Sequence, residues 1–193
     1  MKLLEPDIHP PYRVIYLDIP WTYTDKKTGG SHTSGAASKY KTLSLTELQQ
    51  LPIRDLCYSD AVLAMWATVP FGGDPYDLIK HWGFVYKTAF FWIKTGKLGM
   101  GHYFRGQVEP LLFATCGKVS PFRMRSQRNY KELPALAHSA KPAWFRTLVE
   151  DATFDLPGKR LEMFARERAA GWDATGLEVD GFDIRNLPKL LTA

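Results

Sequence analysis

Residues 13–21 read RVIYLDIPW, and the fold turns on how that run ends. Val14, Ile15, Tyr16 and Leu17 are apolar without interruption, the pattern of a strand buried on both faces. Pro20 cannot donate to a sheet ladder and restricts the residue before it, so the strand stops near Asp18. A carboxylate and a large aromatic, Trp21, then sit on a stiff turn at the carboxyl end of a strand. In α/β folds that edge is where ligands bind.

The rest of the chain supplies partners for this strand. TYTDKKTGGSHTSGAASKYK (22–41) has no apolar period and is rich in Gly, Ser and Thr. It reads as a loop long enough to gate or bind something, or as a plain surface insertion. Ser44 opens a short helix, SLTELQQL, with Glu47 three residues on as a capping box. DAVLAMWAT (60–68) reads as a second buried strand, and residues 74–81 as a helix stopping at Gly83. FVYKTAFFWIK (84–94) and VEPLLFATCG (108–117) are two further strands. Residues 118–137 form a second polar segment, carrying Lys118, Arg123, Arg125, Arg128 and Lys131. AWFRTLVEDA (143–152) has helical period, with Trp144, Leu148 and Val149 on one face, and KRLEMFAR (159–166) is a last strand. Strands alternating with helices predict an α/β fold with a mostly parallel sheet and helices on both faces. The expected organisation is a single domain over residues 1–180 and a peripheral tail over 181–193.

A chain of 193 residues is long enough for one sizeable core, and 45% apolar residues argue against disorder. There is no run of eighteen apolar residues and no apolar signal segment near residue 1, which predicts a soluble cytoplasmic protein without a membrane partner. A net charge of +5 with 13% aromatics suits a flat, phosphate-bearing partner, and equally a well-packed core under a mildly basic surface. Cys57 and Cys116 lie in apolar surroundings and read as buried thiols. None of the five histidines stands at metal-ligand spacing with them, so no metal is expected.

Several motifs fail. GKLGMG (96–101) is followed by His102 and Tyr103 rather than Lys-Ser/Thr, which refuses a phosphate loop. A dinucleotide fingerprint would need glycine where Phe104 stands. No Gly-x-Ser-x-Gly elbow occurs. The Asp18-Ile19-Pro20-Trp21 turn does suggest chemistry. Its carboxylate and a backbone carbonyl offer two acceptors to the two N–H donors of an exocyclic amine such as adenine's. Satisfying both would turn the nitrogen lone pair outward. Trp21 could supply a stacking face, typically worth about 1–3 kcal/mol per base. The same tetrapeptide also serves as a strand-ending turn with a capping Asp and a buried Trp.

At this point the sequence resembles a known family: the S-adenosylmethionine-dependent N6-adenine methyltransferases related to the catalytic subunit of the messenger-RNA adenosine methyltransferase. That family's Asp-Pro-Pro-Trp stands here as DIPW. Further matches follow in order: YKTLSLTELQQLP (40–52), VLAMWAT (62–68), WGFVYKTAFFWIKTG (82–96), GMGHYFRGQVEPLLFATCGK (99–118), HSAKP (138–142) and LEMFARERAAGWDATGLEV (161–179). The resemblance implies a Rossmann-like methyltransferase in permuted order, with the catalytic strand first and the cofactor-binding strand late. S-adenosylmethionine would be the cofactor.

By that resemblance Asp18 accepts one N–H of the target amine and the Ile19 carbonyl the other, while Pro20 and Trp21 shape the base pocket. Lys141 would pair with the cofactor's carboxylate, and Glu162 and Arg166 would lie at its ribose and tail. Glu162 needs a partner amid apolar neighbours, and Arg166 could be a purely structural one. Tyr40, His102, Tyr103 and Glu109 match positions near the target base and its gating loops, although Glu109 beside Pro110 could also be an edge-strand charge. Two departures stand out. Ile19 replaces a Pro, keeping the carbonyl but loosening the turn. Leu177 replaces an Asn that serves the ribose hydroxyls, a loss on the order of 0.5–1.5 kcal/mol. Asp7 is a candidate to read the cofactor's adenine in place of a family Asp further upstream.

Arg123, Arg125, Arg128 and Lys131 are the candidate phosphate contacts that would hold a strand while its base is extruded. Short stand-alone chains of this kind resemble DNA-modifying enzymes of bacteria and phages, so the expected substrate is adenine in DNA, with short or lax sequence specificity. RNA remains an alternative, and a homodimer is left open. Two rivals are a non-catalytic partner subunit of the same fold, motivated by Ile19 and Leu177, and an enzyme methylating a small molecule or a protein amine.

Overall fold

The computed structural model describes residues 6, 8–21, 42–69, 72–96, 103–120, 122–137 and 140–192. β1 (Tyr12–Leu17) is the RVIYLD strand, and it stops one residue short of Asp18, as Pro20 requires. After α1 (Leu45–Gln49) and a 3₁₀ turn (Ile53–Leu56) come β2 (Cys57–Trp66), α2 (Asp74–His81), β3 (Val85–Thr95) and β4 (Val108–Cys116). β5 (Tyr130–Pro134), α3 (Trp144–Ala152), β6 (Arg160–Met163) and β7 (Asp173–Thr175) follow, then a second 3₁₀ turn (Ile184–Asn186) and α4 (Leu187–Leu191). Both halves of the capping box expected at Ser44 are present: its hydroxyl accepts from the Glu47 amide, and the Glu47 carboxylate accepts from the Ser44 amide.

The seven strands form one sheet in the order β5-β3-β4-β2-β1-β6-β7. β4 pairs antiparallel with both β2 and β3, and every other pairing is parallel, so β4 alone runs against the rest. The amino end of β4 therefore meets the carboxyl ends of its neighbours. From β1 the chain moves to β2 on one side; from β5 it crosses back through α3 to β6 on the other. Right-handed crossovers in opposite directions place helices on opposite faces and leave a crevice between β1 and β6.

Side-chain alternation fills both faces. Ile15, Leu17, Leu63, Met65, Leu112, Leu161 and Met163 pack with Leu48, Leu78 and Ile79 on the α1/α2 face. Val14, Tyr16, Trp66, Trp92, Leu111 and Phe113 pack with Phe145, Leu148 and Val149 on the α3 face. Trp66, Trp92 and Phe145 meet there at tilted or edge-to-face angles, with Trp66 and Phe145 centroids 4.8 Å apart.

The structure corrects several expectations. Residues 130–134, read as part of a polar loop, form strand β5, which hydrogen-bonds to β3 and leaves one side of the sheet as its edge. The strand expected over 159–166 ends at Met163, because Phe164 adopts a left-handed φ of 61°. β7, three residues long, is too short to show alternation. The segment after Gly181 is not peripheral: Phe182, Ile184 and Leu187 are buried in the α1/α2-face core, where Arg185 also reaches Glu47 at 3.6 Å. Trp144, expected on the buried stripe of its helix, is half-buried, and Phe145 takes the central place instead. Among the described residues no helix is long and apolar enough to cross a membrane.

Candidate active site

Asp18 leaves β1 on the side of Val14 and Tyr16, so it emerges at the carboxyl edge on the α3 face. Lys141, three residues ahead of α3, donates to Asp18 Oδ1 at 2.7 Å and stands 3.5 Å from Glu109 Oε2. Glu109, at the amino end of the reversed strand β4, also pairs with Lys94 near the end of β3. Lys141 lies 5.4 Å from the centroid of the Trp66 ring and Lys94 5.0 Å from that of Trp92. The ends of β1, β3 and β4 and the segment ahead of α3 thus bring two carboxylates and two ammonium groups together over an aromatic floor. All four side chains are largely buried, with Asp18 the second most open at 21%. Glu109 is therefore not an edge-strand charge, since β4 lies inside the sheet.

Electrostatics keep Lys141 charged. Burial alone would lower its pKa, but the facing charges and hydrogen bonds of Asp18 and Glu109 outweigh that and raise it above the ordinary lysine value. At this edge Thr68 Oγ1 is buried without a hydrogen-bond partner among the described residues, while Glu109 Oε2 faces only the Lys141 ammonium at 3.5 Å. Orphaned acceptors and donors of this kind are uncommon in a finished core and point to a ligand.

Beside Asp18, the end of β6 is built to leave the crevice open. Phe164 bends away with its positive φ, a conformation that costs on the order of 1–3 kcal/mol and clusters at functional sites. A Cβ on Gly176 would come within 2.7 Å of the Ala165 carbonyl oxygen, so only glycine lets the segment after β7 close on this bend. Glu162 sits one step inside β6 and pairs with Arg146 of α3 at 2.8 Å. Burial still holds its carboxyl above the usual range, with Arg146 only partly offsetting it. The expected partner, Arg166, is 3.7 Å from Glu178 instead. Leu177 is 47% exposed.

The turn itself combines both readings made from its sequence. The Ile19 carbonyl accepts the Trp21 amide at 3.0 Å, leaving its second lone pair for another donor. Trp21 is 6% exposed and packs in the α1/α2-face core, its backbone bridged to Leu43. Its ring is structural packing in this structure and offers no open stacking face. Tyr103, by contrast, is 96% exposed. Asp7, Tyr40 and His102 lie outside the described residues.

The three arginines are not at this edge. Arg123 pairs with Asp155, just past the far end of α3, at 2.7 Å. Arg125 and Arg128 border a cleft along the α3 face. Cys57 and Cys116 are free thiols, and burial pushes Cys57 up to about 12, which leaves it unreactive at neutral pH. Among the described residues no cluster of His, Cys, Asp and Glu could hold a metal ion.

Residues 12–178 match the MT-A70 family. The chain belongs to the MT-A70 family. M.MunI, a type II methyltransferase of a Mycoplasma species, is 36% identical over 87% of this chain and 78% of its own length. MTA1 of Pyricularia oryzae, an N6-methyladenosine RNA methyltransferase, is 30% identical over 92% of this chain but 49% of its own. Mouse METTL4, an N(6)-adenine-specific methyltransferase, is 23% identical over 87% of this chain and 37% of its own. Membership makes this MT-A70 chain a methyltransferase of Rossmann-like fold, in agreement with the sheet order and the crevice at β1 and β6.

Two site residues of this MT-A70 chain escaped the sequence reading. Lys94 was legible in principle, since its spacing of two from Trp92 places it on the same sheet face. Arg146 was marked only by being the one cation of its helix, opposite the one acid of β6.

Proposed function

We propose that this chain transfers a methyl group from S-adenosylmethionine to the exocyclic N6 of adenine in DNA, with short or lax sequence specificity. The observation that carries the reading is Asp18, fixed by Lys141 at the carboxyl end of β1 beside a free lone pair of the Ile19 carbonyl.

The residues at the crevice fit such a donor. Lys141 is a cation suited to an amino-acid carboxylate, and Asp18 and Glu109 are anions suited to a sulfonium. When bound, S-adenosylmethionine supplies an electrophilic methyl group on that sulfonium. Asp18 and the Ile19 carbonyl each accept one N–H of the target amine and turn its lone pair outward. As the nitrogen bonded the methyl carbon, the carbon–sulfur bond would break and leave a neutral thioether; the nearby carboxylates would stabilise the positive charge on nitrogen more than the neutral ground state, and its proton would pass to Asp18 or to solvent. No side chain need form a covalent intermediate. The low exposure of the charge cluster keeps water away and strengthens these interactions.

N6 selectivity is supported by the descriptions of MTA1 and METTL4. DNA is preferred over RNA because the chain spans 78% of a type II methyltransferase and about half of the RNA methyltransferase. The identity to MTA1 keeps RNA as the second reading. To test both, the protein is incubated with labelled donor and unmodified DNA or RNA, and the polymer is digested to nucleosides. Label in N6-methyldeoxyadenosine, abolished by Asp18→Ala, is the expected result. Label in the RNA nucleoside alone would move the substrate to RNA, and label in cytosine or in neither polymer would overturn the proposal.

A further inference from the structure

Away from the charge cluster, the α3 face holds a cavity of about 350 Å³. Phe90, Phe113 and Leu148 form its floor, and Phe122 and Met124 one wall. The Phe113 and Phe122 rings meet at 5.3 Å. At the mouth stand Arg125 and Arg128, and among the described residues no carboxylate lines the cavity. Arg128 donates to the Tyr130 hydroxyl at 3.2 Å. The nearby Arg123 differs: Asp155 neutralises it at 2.7 Å, and it stacks over Phe154. The side-chain amides of Gln127 and Asn129 complete the mouth, each with donor and acceptor atoms in reach of a base edge.

We propose that this cleft holds one nucleotide of the substrate strand other than the target adenine, its base among the phenylalanines and its phosphate on Arg125 and Arg128. The inference rests on the nucleic-acid reading given above. Three observations favour a nucleotide. An aromatic, apolar interior suits a base, which has a π-face whatever its identity. Arginines at the mouth, with no acid lining the cavity, suit the phosphate attached to it. A cavity of about 350 Å³ falls at the small end of the ligand-pocket range.

Position favours the same strand. Phe90 and Lys94 lie on one face of β3, four residues apart, which at 3.3–3.4 Å per residue is about 13 Å. Between them, opposite Trp92, β5 places Lys131, whose ammonium is 5.3 Å from the Trp144 ring. Lys131 thus stands between the charge cluster and the cleft on one face, a cation that a strand whose target base enters at Asp18 would pass.

The test is a binding scan read without turnover. Single-stranded DNA oligonucleotides, each with one adenine and one abasic site at successive positions, are titrated with the protein by fluorescence anisotropy. One position away from the adenine should lose about five- to a hundredfold in affinity on removal of its base, and Phe122→Ala should reduce that penalty below twofold. Arg125→Ala with Arg128→Ala should lower the slope of log affinity against log salt by about 0.7 for each phosphate no longer neutralised. A flat scan, a penalty that survives Phe122→Ala, or an unchanged salt slope overturns the proposal. Both arginines are exposed, so that variant decides the matter even if Phe122→Ala unfolds. Strand binding with the predicted pattern but no methyl transfer would support the cleft while overturning adenine methylation; methyl transfer with a flat scan would do the reverse.

Discussion

The two ends of the α3 face use charge in opposite ways. At the carboxyl edge, Asp18 and Glu109 are matched by Lys141 and Lys94, and all four are largely buried. In the cleft beyond Phe90, two exposed arginines face an apolar hollow with no acid among the described residues that line it. Matched, desolvated charges hold one another in place and make a rigid site, since each would be costly alone. Charges without an acid to match them leave most of their binding capacity to a partner, even though Arg128 also donates to the Tyr130 hydroxyl. The first arrangement suits chemistry on a fixed geometry, the second suits holding a polyanion.

The comparison is most vulnerable just inside the edge, at Arg146. Removing it leaves Glu162 buried opposite no cation, so Arg146→Met should destabilise the fold by about 3–5 kcal/mol. The sign with pH follows from the raised pKa of Glu162. An acid whose folded value lies above its unfolded one contributes stability that is fully present below the unfolded value and is lost as pH rises through the folded one. Without Arg146 that loss grows, so denaturant melts should show a larger deficit at pH 8 than at pH 5. An equal deficit at both would mean that Arg146 acts through packing alone. Lys141 behaves the other way round in chemistry but not in sign: its raised pKa keeps its stabilising charge intact through neutral pH, and the contribution fades only above the ordinary lysine range.

A smaller effect sharpens the edge from the donor side. Leu177 is exposed beside the crevice, where the family resemblance expects an Asn. Leu177→Asn should tighten S-adenosylmethionine binding by about two- to tenfold, the worth of one hydrogen bond. Calorimetry checks this, and unchanged affinity would show that another group already serves the ribose. Smallest is the control at the far end. The Arg123–Asp155 pair has side chains 54% and 57% exposed, so Arg123→Ala should change stability by less than about 1 kcal/mol in a thermal melt. It should also change strand affinity less than Arg125→Ala does, because of the two only Arg125 borders the cleft.

Much of this was legible in the sequence. The strand ending at Asp18, the capping box at Ser44 and the alternation of strands and helices follow from proline chemistry, side-chain caps and periodicity. These are local causes. The reversal of β4 was not legible, because an antiparallel partner needs no different residue pattern from a parallel one when both faces are buried. That reversal is what carries Glu109 to the site. The ion partners were misassigned for a related reason: Arg166 is near Glu162 in sequence, whereas Arg146 reaches it only once α3 crosses the sheet. Trp21 shows the limit of motif reading. Its position in DIPW was read both as a stacking face and as core, and packing against Leu43 and its neighbours decided for core.

We propose that Asp18 and Lys141 work as one unit at the end of β1. Single-turnover methyl transfer to an adenine-containing oligonucleotide, measured for Asp18→Ala, Lys141→Met and the double variant, tests it most directly. Residues acting as a unit are strongly non-additive. With the two acting as one unit, Asp18→Ala should lower the rate by about a hundred- to a thousandfold, and adding Lys141→Met should cost little more. An Asp18→Ala rate within tenfold of the wild type, or two losses that simply multiply, would contradict it.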